Sequence, residues 1–488
     1  MKTEKHRRWR NVGGTESSKP AISFWPESLE DIREIIALAE QNQVSVRAAG
    51  SSHSWSDVAK TDDYLVYTDR LNRILDLEAY LLRNELPFRK EHLVHVQCGI
   101  PIRELNRALD RQGLALINLG GFDGQTICGL TSTSTHGSGI AFGPLCDFIK
   151  SLELVADQAK VYRIEPSVAS GNTLTDPGAF RQAHPDASRF ELIQDDQWFN
   201  AAAVGMGCLG VIYSVVLEVR EAFLLKETRT LTTWTRVKEA LRNGAVYRTP
   251  EHYELLLNPY SVDGQYRCLI TTRVETTTPG NRDRSIFIKY RAVLDVSALW
   301  VKVLAWLWPS KIKETLNAAI AALQDDDYTD KSYKVFHIGE ANDILAISSE
   351  FAVPVDQDAY IAAIDRLLAV AEQMGEEKNL YLTVPLAVRF VKATSALLSP
   401  MNRRDTCMLE VIALADVKRS RRIMERIEEA LAAHAVRPHW GQINHLTPGR
   451  VLEMYGNSYG QWQEIHRKLN TRGTFSGPFS RRVGIDPP

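Results

Sequence analysis

From Ser28 to Gln43 apolar residues return at helical spacing, at Ile32, Ile35, Ile36 and Leu38, behind a serine placed to cap and a nearby glutamate. That pattern predicts a helix. Val44 to Ala49 alternates and is β-branched before it meets Gly50, so it predicts a strand that delivers the chain into a tight loop. Leu65 to Thr68, Leu93 to Gln97, Ser151 to Val155 and Val211 to Val219 predict further strands, and Pro101 to Gln112 a helix with proline in its first turn. Beyond about Ala222 the texture changes. Longer strands, Tyr253 to Leu257 and Cys268 to Arg273, are followed by a helical stretch from about Ser285 to Ala322. Asp325 to Asp330 reads as an exposed acidic loop. Asp356 to Gln373 and Ser420 to Ala433 are amphipathic helices, with strands Tyr381 to Phe390 and Thr406 to Leu414 ahead of the latter. The second half is therefore α+β, with helices covering one face of an antiparallel sheet. No internal repeat or low-complexity tract interrupts the chain.

Length and composition narrow the class. The chain has 488 residues, whereas a single core stops growing at about 250–300, so two domains are expected. With 44% hydrophobic and 24% charged residues the balance is that of an ordinary globular protein. A formal net charge of −2 supplies no field for polyanions, which argues against nucleic acid as a partner. Six cysteines without a C-x-x-C pair indicate neither a zinc site nor a disulfide framework, and no metal is expected. A reducing, cytoplasmic compartment fits them. The basic start of the chain runs into Asn11, Val12, Gly13 and Gly14 where an export signal needs an apolar run. Ala292 to Pro309, the most apolar stretch, is broken by Asp295 and Lys302; it falls short of a membrane span and reads as a buried or interface helix.

Three runs of small residues carry the chemistry. In the first, Val46 to Trp55, a strand enters a glycine and serine loop whose backbone N–H groups can point at a pyrophosphate. His53 stands on that loop between Ser52 and Ser54; on its own such a histidine is more often a surface or hydrogen-bonding residue than a cofactor ligand. The second, Asn118 to Gly139, is too long for a turn and leaves many donors to be satisfied, most simply by a phosphate-bearing ligand. The third holds Gly205, Gly207 and Gly210 at G-x-G-x-x-G spacing. A strand pattern follows it where a dinucleotide fingerprint requires a helix, which disfavours binding of the NAD type.

In order and spacing, Arg47-x-x-Gly50-x-x-His53-Ser54, the run Ser132 to Gly139, and Val204 to Ile212 resemble the vanillyl-alcohol oxidase family of flavoproteins, in its aldonolactone and alditol oxidase branch. The resemblance covers nearly the whole chain. Pro385 to Val391, Leu398 to Pro400 with Arg404 to Thr406, and Arg437 to Gln442 resemble that branch's C-terminal motifs. It implies a two-domain α+β fold of the PCMH type: an FAD-binding domain over 21–222, a cap of antiparallel sheet and helices over 223–440, and a segment 441–488 returning to the FAD domain. It also implies His53 as the covalent attachment point of the flavin 8α-methyl. Gly50, Ser51, Ser52, Ser54, Gly121, Thr126, Gly129, Ser132, Thr135, Gly137, Gly207 and Ile212 are implied to surround FAD.

The departures from that branch shape the functional expectation. Its glutamate beside the flavin is Ala387 here, its lysine is Gln442, and Glu410 stands where alditol oxidases carry a pocket histidine. On a strand Ala387 and Arg389 face the same way. Arg389 is thus placed to hold negative charge on reduced flavin, and Glu410 or His439 to receive the substrate's hydroxyl proton. The alternatives are a Glu410 merely paired with Arg389 and a His439 merely packed. Three functions follow: oxidation of a sugar lactone or polyol; the same chemistry on a less polar alcohol, with Trp300, Leu304 and Trp306 as lining; or a flavin-binding protein without turnover. Oxygen and another acceptor both remain open.

Overall fold

The computed structural model describes residues 1–244, 246–280, 308–324, 327–337, 346–378, 380–415 and 419–486. Two sheets organise the first part of the chain. One has four strands in the order Lys2–Lys5, Ile22–Trp25, Tyr64–Tyr67, Val46–Ala49, parallel except at the N-terminal edge. The other has six, in the order Phe190–Gln194, Val161–Glu165, Ile149–Val155, Val211–Glu218, Leu93–Gln97, Ile74–Leu75. Ahead of residue 21, Lys2–Lys5 thus adds an edge strand to the first sheet, while Trp9–Arg10 and Ser17–Ser18 pair with each other. The first helix is Leu29–Gln41, with Ser28 Oγ accepting from the Asp31 amide. Ile32, Ile35, Ile36 and Ala39 form its buried stripe, spaced i, i+3, i+4, i+7; Leu38 falls off that stripe and is 38% exposed, against expectation. Pro101 is the N-cap of helix Ile102–Asp110 rather than a residue of its first turn. The third glycine run does lead into a strand, Val211–Glu218.

An eight-stranded, wholly antiparallel sheet forms the second part. Its order is Tyr328–Lys331, Leu224–Thr233, Arg267–Thr276, His252–Leu257, Leu386–Val391, Thr406–Leu414, Ala346–Pro354, Arg437–Pro438. The two-residue period of a strand divides its residues cleanly. Leu255, Leu257, Leu386, Val388, Phe390, Leu409, Val411, Phe351 and Val353 share one core with helices Trp234–Arg242, Ile312–Ala322, Ala359–Lys378 and Ser420–Leu431. The alternate residues, among them Glu254, Arg389, Glu410 and Glu350, are left on the other face. Two expectations change. The end of the acidic loop is a strand, Tyr328–Lys331, pairing with Leu224–Glu227 and burying Tyr328. Of the long helix expected from 285, Ile312–Ala322 is described; Trp300, Leu304 and Trp306 lie outside the described residues.

The C-terminal segment returns to the first core. Trp440, Trp462, Ile465, Phe475 and Phe479 are buried together with Ile32, Val46 and Val96, and the Val46 amide donates to the Thr474 carbonyl at 2.7 Å. All six cysteines are buried free thiols. Among the described residues no helix is long and apolar enough to cross a membrane, and no cluster of ligating side chains fits a metal ion.

Candidate active site

A cavity of about 400 Å³ opens between the three glycine runs and the face of the large sheet that carries Arg389, Glu410 and Glu350. Its wall brings together Gly50, Ser51, Ser52, His53, Ser54, Gly121, Thr126, Gly129, Ser132, Thr135, Gly207 and Ile212 with Arg389, Glu410 and His439. Gly137 stands apart. A Cβ there would meet Asn118 Oδ1 at 2.4 Å and the Leu119 carbonyl at 2.5 Å, so close packing of chain on chain, not the cavity, requires glycine.

The first loop is shaped for an anion. Ser52 takes a left-handed φ of +59°, the kind of break in the chain that builds anion-binding concavities from successive amides. The N–H groups of Ser51, Ser52, His53 and Ser54 find no acceptor among the described residues. Buried or half-buried amides without partners are costly, and a diphosphate beside them supplies what they lack. The loop's own backbone therefore fits the diphosphate of FAD. Gly50 lets this loop lie on the second run, since a Cβ would sit 2.1 Å from Thr126 Oγ1. The N-terminal segment straps it from outside: Trp9 Nε1 donates to Ser52 Oγ at 3.0 Å, the Val12 amide to the Ser52 carbonyl at 2.9 Å, and Asn11 Nδ2 to the Ser54 carbonyl at 2.8 Å.

Arg47 anchors the loop from beneath. It is 2% exposed and has no carboxylate partner among the described residues; it donates to the carbonyls of Gly207 (3.0 Å), Met206 (2.7 Å), Phe475 (3.3 Å) and Val58. One side chain thus ties the first run, the third run and the C-terminal segment together. His53 holds Nδ1 at 3.1 Å from both the Ser51 carbonyl and Ser51 Oγ, its Nε2 has no partner among the described residues, and its ring lies 4.4 Å from that of Phe122. Burial pushes this imidazole down to about 4, so it is neutral and nucleophilic at pH 7.

The sheet supplies a row of alternating charges. Arg389 donates from Nη1 to Glu410 at 3.3 Å and from Nε to Glu254 at 3.2 Å; Arg273 reaches Glu254 at 3.1 Å and Glu227 at 2.9 Å. Burial acts to raise Glu254, but the two arginines outweigh it and hold the carboxyl at about 2. Arg389 stays charged, because the carboxylates on both sides outweigh its burial. Its Nη2 has no partner among the described residues and so remains for the cavity. Glu410 lies directly opposite Ala387 in the strand register, so a carboxyl missing from one strand is present on its neighbour. His439 is differently placed. Its Nδ1 accepts the Gly441 amide at 3.1 Å, and burial lowers it to about 4, which leaves a neutral ring engaged with backbone.

Sequence reasoning did not single out Glu350, His136 or Trp9. His136 Nε2 donates to Glu350 at 3.1 Å, and both line the cavity at 2% and 4% side-chain exposure. The available signal was a lone glutamate inside the apolar alternation of Ala346 to Pro354, where an unpaired charge would be expensive. Gln442, read as a lost lysine, donates toward Glu350 at 3.2 Å and Glu410 at 3.4 Å, while its Oε1 is buried without a donor.

Known proteins share this plan. Residues 215–483 match the family model of D-arabinono-1,4-lactone oxidase and residues 20–165 that of an FAD binding domain. The chain is 25% identical to mouse L-gulonolactone oxidase, covering 97% of this chain and 98% of the mouse protein. It is also 25% identical to L-gulono-1,4-lactone dehydrogenase of Mycobacterium tuberculosis, again over 97% and 98% of the two. In fold it resembles a solvent-stable cholesterol oxidase, with a TM-score of 0.75 at 15% identity over 99% of this chain and 98% of the other. The cholesterol oxidase of B. sterolicum superposes with a TM-score of 0.72 at 11% identity, over 99% and 97%. With more than half of its length matched by one family model, the chain belongs to the D-arabinono-1,4-lactone oxidase family.

Proposed function

We propose that this protein is an FAD-dependent oxidoreductase that oxidises a CH–OH carbon of a sugar lactone or polyol, with His53 joined covalently to the flavin 8α-methyl. The supporting observation is that the orphaned amides of Ser51 to Ser54 and the buried Arg389–Glu410 pair open on one cavity. When bound, the flavin supplies the two-electron acceptor for the hydride that leaves the carbinol carbon. The chain's residues do the rest. Glu410 takes the hydroxyl proton; His439 is the weaker candidate because both burial and its bond to Gly441 disfavour gaining one. Arg389 Nη2 holds negative charge that develops on the ring, and Gln442 Oε1 accepts from a substrate hydroxyl. Residues 21–222, extended by the N-terminal strap, serve the cofactor; 223–440 serve the substrate; 441–488 close the cofactor domain. The buried free cysteines suit a cytoplasmic location.

Anaerobic mixing with a panel of lactones, polyols and apolar alcohols tests the reading. Lactones or polyols should bleach the flavin, and bleaching by apolar alcohols alone would reject it. Glu410→Gln should slow that bleaching by about 10²-fold, while His439→Asn leaves it within about tenfold; equal rates for Glu410→Gln and the native protein would remove Glu410 from the mechanism. Oxygen consumption during turnover decides whether oxygen is the acceptor. For the covalent bond, acid-precipitated protein should stay yellow and His53→Ala protein should release its colour to the supernatant. A colourless native pellet would mean that the flavin is held without a bond.

A further inference from the structure

Two carboxylates stand side by side in the cavity wall. Glu350 and Glu410 are direct cross-strand partners in the register of Ala346–Pro354 and Thr406–Leu414, and their side chains are 4% and 15% exposed. Like charges opposed in this way are unfavourable on any sheet, and burial sharpens the conflict. The groups facing the pair divide it unequally. His136, from the second glycine run, meets Glu350 at 3.1 Å. Ser348 and Arg389 meet Glu410 at 3.1 and 3.3 Å, but Arg389 is shared with Glu254. Gln442 spans both carboxyls, and His439 from the same segment is neutral.

We propose that Glu350 and Glu410 form a coupled pair carrying one exchangeable proton, in which Glu350 stays ionised as a positioning residue and thereby makes Glu410 the stronger base. The proposal rests on reading the cavity as a site of carbinol oxidation. The substrate O–H bond breaks and its proton forms a new O–H bond on Glu410; the C–H bond breaks and its electron pair leaves as hydride to the flavin; the carbon–oxygen double bond forms. Glu350 neither gains nor loses a proton in that step. Titration directions agree with the geometry. Burial acts to raise Glu350, but His136 outweighs it and holds the carboxyl at about 2. Glu410 is raised, by burial first and by the charge of Glu350 next, against the opposing pull of Arg389 and His136. For His136 burial acts downward, and Glu350 outweighs it to keep the imidazole protonated above its ordinary range.

The test is the pH dependence of anaerobic flavin reduction by a lactone, read in the holoenzyme alongside its infrared difference spectrum without substrate. Reduction should accelerate with rising pH through a midpoint above the ordinary carboxylate range, and a protonated-carboxyl band should disappear through the same midpoint. Glu350→Gln should move both midpoints toward acid; Glu350→Asp, which keeps the charge, should hold them near the native position. Glu410→Gln should abolish the band. A Glu350→Gln enzyme that is slower at every pH with unmoved midpoints would overturn the proposal, as would a band that survives Glu410→Gln. If neither a lactone nor a polyol reduces the flavin the functional reading fails, and the infrared titration still decides the pair.

Discussion

Replacing Arg389 by methionine should slow flavin reduction about 10³-fold and destabilise the fold by about 3–5 kcal/mol, the usual cost of removing one partner from a buried ion pair. The residue sits between two carboxylates, Glu254 and Glu410, and only Glu254 has a second arginine to fall back on. Without Arg389, Glu410 loses the charge that most opposes its protonation, rises further, and is occupied by a proton when the substrate needs to give one up. Lysine should recover little, because a point charge cannot serve Glu254 and Glu410 and still present a third nitrogen. The stability loss carries its own pH signature. Glu254 is held at about 2 in the native fold, against about 4.3 for a free glutamate. Stability from that depression is present above the ordinary value and disappears as pH falls toward 2. The gap between native and Arg389→Met proteins, measured by thermal unfolding, should therefore be widest near neutrality and shrink below about pH 4. A gap independent of pH would show that Arg389 acts by packing alone.

What could be read from the sequence separates along physical lines. Strands Leu93–Gln97 and Thr406–Leu414 have the bounds that alternation predicts, because burial of one or both faces imposes a pattern that survives in one dimension. The glycine runs are legible for a related reason: small residues crowd where backbone must approach backbone or ligand, and Gly50 against Thr126 is an instance. The same signal misleads at Gly137, where the approach is to Asn118 and not to the cavity. Leu38 misleads because an apolar residue near a stripe need not be on it. Glu350 is legible only as a lone glutamate in an apolar strand. Its significance comes from facing Glu410, and that adjacency is a matter of strand register between segments far apart in the chain. Trp9 is similar: the N-terminal stretch shows no apolar run, yet its indole finds Ser52 only after the chain has folded back along Ile22–Trp25.

Arg47 belongs to both categories, visible as part of a motif and explained only by the fold, and it yields the second large expected effect. Arg47→Met should abolish stable flavin retention and lower stability by about 4 kcal/mol. Four carbonyls, those of Val58, Met206, Gly207 and Phe475, lose their donor deep in the protein. Each orphaned acceptor costs about 1–3 kcal/mol, partly offset because an uncompensated guanidinium no longer has to be buried. The geometric consequence exceeds the energetic one. Met206 and Gly207 both hold left-handed backbone, at φ of +50° and +68°, and their carbonyls are turned toward Arg47 in that conformation. Once released, the third glycine run keeps the Met206 amide's bond to the Ser132 carbonyl at 3.2 Å but loses its tie to the strand ahead of the His53 loop, so the cofactor cradle should loosen even in protein that still folds. Arg47→Lys should fall between the two, since a single ammonium reaches too few of the acceptors. The readouts are flavin-to-protein ratio and thermal midpoint of the purified variants. Native flavin content together with a native midpoint in Arg47→Met would show that the three segments hold together without it.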